Sequence, residues 1–113
     1  MDADQARELL RRERNRIERA LAEQAGGSDG ELPSVDQHLG DQGTELYNDE
    51  FEAGLRERLL NELAAVERAE ARVKAGTYGL SVESGEPIPD ERLELIPTAE
   101  RTAEEQARFE GRR

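Results

Sequence analysis

Residues 25–50 carry seven carboxylates, Asp29, Glu31, Asp36, Asp41, Glu45, Asp49 and Glu50, with neither lysine nor arginine among them. The single histidine of the chain, His38, stands in the same stretch. Such a set can hold a divalent cation weakly or respond to pH near neutrality. The plainer reading is a solvated acidic loop with an exposed imidazole. Other residues with chemical potential are few. Ser81 and Ser84 would need a base beside them to act as nucleophiles, and the one imidazole belongs to a different segment. Glu104 and Glu105 are neighbouring carboxylates in a polar helical pattern, where solvation is the usual state and no pocket is implied. No glycine-rich loop leads into Lys-Ser or Lys-Thr, so a phosphate cradle is not expected. These residues point to a protein that binds rather than catalyses.

Composition narrows the field further. The 113 residues are 38% charged and 35% hydrophobic, which predicts one domain with a thin core. A formal charge of -11 opposes binding to phosphates or anionic membranes. Two Phe, two Tyr and no Trp leave no stacking platform for single-stranded nucleic acid. With no Cys, disulfides, thiolate zinc sites and cysteine nucleophiles are excluded. The opening MDADQARELL is acidic where a secretory signal is basic, and no apolar run is long enough to span a bilayer, so a cytoplasmic location is expected.

The elements that position these residues follow from periodicity. From Asp2 to about Glu23, Leu9, Leu10, Ile17 and Leu21 mark one helical face, helped by Ala3, Ala6 and Ala20. Asp2 and Gln5 have the spacing of a capping box, and Gly26-Gly27 supplies a stop. The stretch 25–43 is rich in Gly, Ser, Asp and Pro and reads as a long connecting loop. A second helix is predicted from about Thr44 to Ala75, on Tyr47, Phe51, Leu55, Leu59, Leu63, Val66 and Val73. Two amphipathic helices joined by a loop bury their stripes against each other, which predicts an antiparallel coiled-coil hairpin over residues 1–75. Residues 1–24 hold six acids and six bases and residues 51–75 five of each, so the acidic excess sits at the hairpin tip. A tip of one sign on neutral arms focuses its field at one end and suits a basic or metal-containing cavity. Residues 76–113 change character: Gly and Pro punctuate two short apolar runs, Tyr78 to Val82 and Leu93 to Ile96, predicting a small hairpin-like knob. A short polar helix over 100–110, docked only by Ala103, Ala107 and Phe109, closes the chain.

The blocks GTYG (76–79), SGEPIP (84–89) and RLELIPTA (92–99), with the preceding LLNELAAVERAEARVKAG and the upstream DQHLGDQGTELY, resemble the DksA/TraR family of bacterial RNA polymerase regulators. That resemblance implies a coiled-coil hairpin with an acidic tip and a globular zinc-bearing base. In the family the base carries two C-x-x-C pairs, which here fall on Ser81 and Ser84, then on Thr102 and Glu105. Neutral hydroxyls are poor zinc ligands, and one carboxylate does not replace four thiolates. No zinc and no other cofactor is therefore expected. The knob is expected to rely on Tyr78, Leu80, Ile88, Leu93, Leu95 and Ile96, or to be partly loose.

The family's tip motif is Asp-x-x-Asp-x-Ala. Counting back without gaps from GTYG places its second Asp on Asp41, its Ala on Gly43 and its first Asp on His38, with Asp36 two residues earlier as a stand-in. The resemblance implies a partner-binding tip of Asp36, His38, Asp41 and Gly43, with Asp41 acting near the catalytic centre of RNA polymerase through its secondary channel. Some relatives answer the alarmone ppGpp through basic residues on the second helix. The same count retains Arg58 but puts Ala65 where a lysine is expected, which argues against ppGpp coupling. On composition alone Arg58 is an exposed charge paired with Glu62. The expected partner is RNA polymerase, bound by a monomer without direct DNA or membrane contact. The competing reading is a coiled-coil interaction protein that self-associates or docks elsewhere, its acidic loop serving solubility.

Overall fold

A computed structural model describes residues 1–24 and 42–111, the segment 42–49 by its backbone alone. The chain is mainly helical: α1 (Ala3–Gln24), α2 (Gln42–Ala75), α3 (Asp90–Leu95) and α4 (Ala103–Gly111). α1 begins as its sequence predicts. The Gln5 amide donates to Asp2 Oδ1 at 2.8 Å and the Asp2 amide to Gln5 Oε1 at 3.3 Å, a reciprocal capping box. Its outer face carries Arg7–Asp4, Arg11–Glu8 and Arg12–Glu8 pairs one turn apart. These are exposed pairs that favour solubility more than stability. The predicted stop at Gly26-Gly27 lies outside the described residues.

Two compact units are distinguished, Asn15–Leu63 and Met1–Arg14 with Ala64–Arg113. In the first, Ile17 and Leu59 are buried. Arg16 reaches Glu62 at 3.1 Å, and the Gln24 side-chain amide donates to the Glu52 carbonyl at 2.6 Å. Residue numbers rise along α1 as they fall along α2, so the helices run antiparallel. Phe51, predicted on the apolar stripe of α2, is instead 64% exposed. The reason is helical geometry. Each step of four residues turns about 40° past a full circle, so Phe51 lies about 80° around the helix from Leu59.

In the second unit Ala6, Leu10, Val66 and Ala69 are buried. α2 ends on Gly76, whose φ of 81° is left-handed. The Thr77 amide donates to the Arg72 carbonyl at 2.9 Å and the Gly76 amide to Val73 at 3.2 Å, a Schellman motif. A Cβ at position 76 would meet nothing within 4 Å, so its cost is purely conformational. Gly76→Ala is expected to lower stability by about 1–2 kcal/mol in denaturant unfolding.

The knob follows. Leu80 and Pro87 form one antiparallel bridge, flanked by hydrogen bonds from the Ser81 amide to the Glu86 carbonyl and the Ile88 amide to the Gly79 carbonyl. The second apolar run, Leu93 to Ile96, is not extended as the hairpin reading implied. Most of it lies in α3, which Pro89 starts with φ −57° and which Asp90 and Glu91 favour at the positive end of the helix dipole. Ile88, Leu93 and Ala99 are the buried core, with Met1 and Tyr78 packed against them. Leu80, Leu95 and Ile96, expected to hold the knob, are 39%, 83% and 44% exposed. α4 starts at Ala103 rather than near residue 100, and Ala103 and Ala107 are exposed rather than docked. Phe109 does contribute: the Arg101 guanidinium lies 3.8 Å from its ring centroid. No helix among the described residues is long and apolar enough to cross a membrane.

Candidate functional site

The four positions Ser81, Ser84, Thr102 and Glu105 come together in the knob. The hairpin turn presents the two serines. The Gly85 amide donates to the Ser81 carbonyl at 2.9 Å, with Gly85 at φ 79°, and the turn folds back so that the Glu83 and Ser84 amides donate to Ser81 Oγ at 3.0 and 3.2 Å. α4 presents the other pair. Thr102 and Glu105 make a capping box, the Thr102 amide donating to Glu105 Oε1 at 2.9 Å and the Glu105 amide to Thr102 Oγ1 at 3.2 Å.

The two halves meet on one carboxylate. Ser81 Oγ donates to Glu105 Oε1 and Ser84 Oγ to Glu105 Oε2, both at 2.6 Å. Such lengths are those of charge-assisted O–H···O⁻ bonds. Ser81 and Glu105 are the buried polar residues of the described chain, at 5% and 6% exposure. The hydroxyls of Ser81 and Ser84, followed by the Thr102 amide, hold the Glu105 carboxyl down at about 2.

This set does not fit a zinc ion. It offers one anionic donor, and both serine hydroxyl protons already point at that donor's oxygens. Among the described residues no group of three or more His, Asp or Glu side chains could hold a metal. Because the carboxyl is depressed in the folded state, its contribution to stability is complete above the ordinary carboxylate range and is lost as pH falls towards 2. Melting curves of the wild type and Glu105→Gln are therefore expected to differ by a constant amount from about pH 5 to 8 and to converge towards pH 2. Arg101 and Glu83 beside the cluster, paired at 2.8 Å, are common to both proteins and cancel in that comparison.

A second carboxylate ties α2 to the knob. Glu100 accepts from Arg68 at 2.8 Å and from Arg72 at 3.1 Å, while its backbone carbonyl accepts from the Val82 amide at 2.9 Å. Burial alone would raise the Glu100 carboxyl, but the two guanidinium groups more than offset it and hold it below its ordinary value. Tyr78 Oη donates to the Pro97 carbonyl at 2.8 Å, fixing the chain that leads out of α3.

Asp36, His38 and Asp41 lie outside the described residues. Gly43, placed with them at the tip, belongs to the first turn of α2. Arg58 is exposed and borders a shallow depression with Phe51, Gly54 and Leu55. Its predicted partner Glu62 is bonded by Arg16 instead. Sequence reasoning treated Glu105 as one of two solvated carboxylates on a polar helix and as a poor substitute for a thiolate, whereas the structure buries it. The signal that identifies its role was present: Thr102-Ala103-Glu104-Glu105 has the Thr-x-x-Glu spacing of a capping box, opposite the Ser81-x-x-Ser84 turn.

An antiparallel pair of long helices in one unit and a turn-rich knob in the other are features also reached by comparison with known proteins. Residues 76–111 match the family described as prokaryotic dksA/traR C4-type zinc finger. The chain is 44% identical over 75 residues to YteA of Bacillus subtilis, covering 66% of this chain and 31% of that protein. It is 36% identical over 74 residues to the RNA polymerase-binding transcription factor DksA of Caulobacter vibrioides, covering 66% and 52%. The solved structure of transcription factor DksA2 from Pseudomonas aeruginosa aligns with 97% of this chain and 84% of its own, at a TM-score of 0.78 and 28% identity. The chain spans about a third to a half of the curated relatives it matches. Residues 76–111 therefore belong to the DksA/TraR zinc-finger family in a form without its four cysteines, and the fold of the chain is similar to that of DksA2.

Proposed function

We propose that this protein regulates transcription by binding RNA polymerase and inserting the acidic end of its hairpin into the secondary channel, where Asp41 acts near the catalytic centre without chemistry of its own. The observation that carries this reading is the correspondence with DksA2 over nearly the whole chain, hairpin and knob together. The name of the Caulobacter relative adds RNA polymerase as the partner. Charge supports the same division of labour. Residues 25–50 carry seven acids and no lysine or arginine, while the two arms are balanced, so the negative field is concentrated at the end that would enter. Asp36 and His38 would flank Asp41 there, and Arg58, exposed on α2, would face the polymerase rather than an alarmone. The effect is that of a bound protein, not of an enzyme, and requires no cofactor.

The test is contact mapping. A photo-crosslinking residue at position 41 should react, in the complex with core polymerase, with polymerase segments that line the secondary channel. Cross-links confined to the outer surface of the polymerase would sink the insertion reading.

A further inference from the structure

We propose that the Glu105 carboxylate, gripped by Ser81, Ser84 and Thr102, is the cross-link that closes the knob, so that the knob folds without a metal and without a thiol. The geometry carries this. A cross-link must join two segments that do not otherwise share a helix or strand, and Glu105 joins the turn at 81–84 to α4 across more than twenty residues of chain. It does so through one buried group with hydroxyl donors on both oxygens and an amide donor on one of them, leaving the charge compensated. Apolar packing contributes little to the docking of α4: Ala103 and Ala107 are exposed, Phe109 meets the Arg101 guanidinium, and Glu105 is the buried residue of the helix.

Side-chain length explains why glutamate serves here. Glutamate extends two atoms further than cysteine. Its oxygens therefore reach the hydroxyls of Ser81 and Ser84, at 2.6 Å each, from the backbone of α4. The serines keep the short reach of the cysteines they stand in for, and Ser81 Oγ still accepts the Glu83 and Ser84 amides that shape the turn. The substitution is thus coordinated across all four positions. Changing one alone would leave a buried hydroxyl or carboxylate without its partner.

The experiment uses the full chain. Its melting temperature should be the same with and without a strong chelator. Glu105→Ala should reduce hydrogen-exchange protection of the Val82 and Gln106 amides, which bond across and within the knob, by roughly tenfold or more. Protection in the α1–α2 pair of Asn15–Leu63 should be kept. Glu105→Gln, which retains the length and an acceptor, should lose less than Glu105→Ala. The converse variant S81C/S84C/T102C/E105C should bind one cobalt ion with the absorption of a tetrahedral thiolate site, and its melting should become sensitive to chelator. Wild-type protection in Glu105→Ala, or a wild-type melting temperature that falls on chelation, would overturn the proposal. A four-cysteine variant that takes up no cobalt would also overturn it, by showing that the four positions do not share one site.

Discussion

Replacing Leu93 by alanine is expected to destabilise the protein by about 2–5 kcal/mol, most of what a small domain with a thin core can lose and stay folded. Leu93 is 1% exposed, and its neighbours in the knob core are Ile88, Ala99, Met1 and Tyr78. The cost depends on how far the surroundings relax into the vacated space. The backbone of Gly79 is close, with an ideal Cβ built there only 3.6 Å from Leu93 Cδ1, but it is held at φ 88° and by its hydrogen bond to Ile88. Leu80, Val82, Leu95 and Ile96 of the knob are exposed, so they do little to share the loss. Denaturant unfolding with a probe in the knob checks the magnitude. A loss below 1 kcal/mol would mean that the polar network alone holds the knob and that its small core is dispensable.

Asp41→Asn is expected to abolish the effect on transcription initiation while leaving affinity for polymerase within about threefold. The substitution keeps size and removes one negative charge. If the hairpin end acts on the catalytic centre and the arms and knob supply the binding surface, charge at position 41 matters to the outcome and hardly to the dissociation constant. Paired titrations of binding and of initiation at a responsive promoter separate the two. Loss of binding together with effect would contradict the division of labour. Unchanged activity would move the role to Asp36 or to another of the carboxylates between residues 25 and 50.

Much of this architecture was legible from residue spacing. Leu10 and Ile17, seven apart, are both fully buried, and the Asp2–Gln5 capping box forms as spaced. Phe51 was misplaced because an unbroken run of four-residue steps drifts off a straight helical seam, which pattern counting does not register. The knob was harder for a different reason. Leu95 and Ile96, as apolar as the buried Leu93 and Ile88, are exposed, and the buried residue of α4 is a carboxylate. Hydropathy places glutamate outside. Only the pairing of a Thr-x-x-Glu cap with a Ser-x-x-Ser turn marks Glu105 as internal, and that pairing has meaning once the two segments are known to meet. The tip residues Asp36, His38 and Asp41 remain readings of sequence, since they fall outside the described residues.

The most direct test is the affinity of the purified chain for core RNA polymerase, measured in chelator and in the presence of a competitor that occupies the secondary channel. Saturable binding, unaffected by chelator and displaced by the competitor, is the expected result if the knob is closed by Glu105 rather than by a metal. Absence of binding at micromolar protein, or binding that the competitor leaves untouched, would contradict a polymerase regulator acting through that channel and would leave self-association of the coiled-coil arms as the reading to pursue.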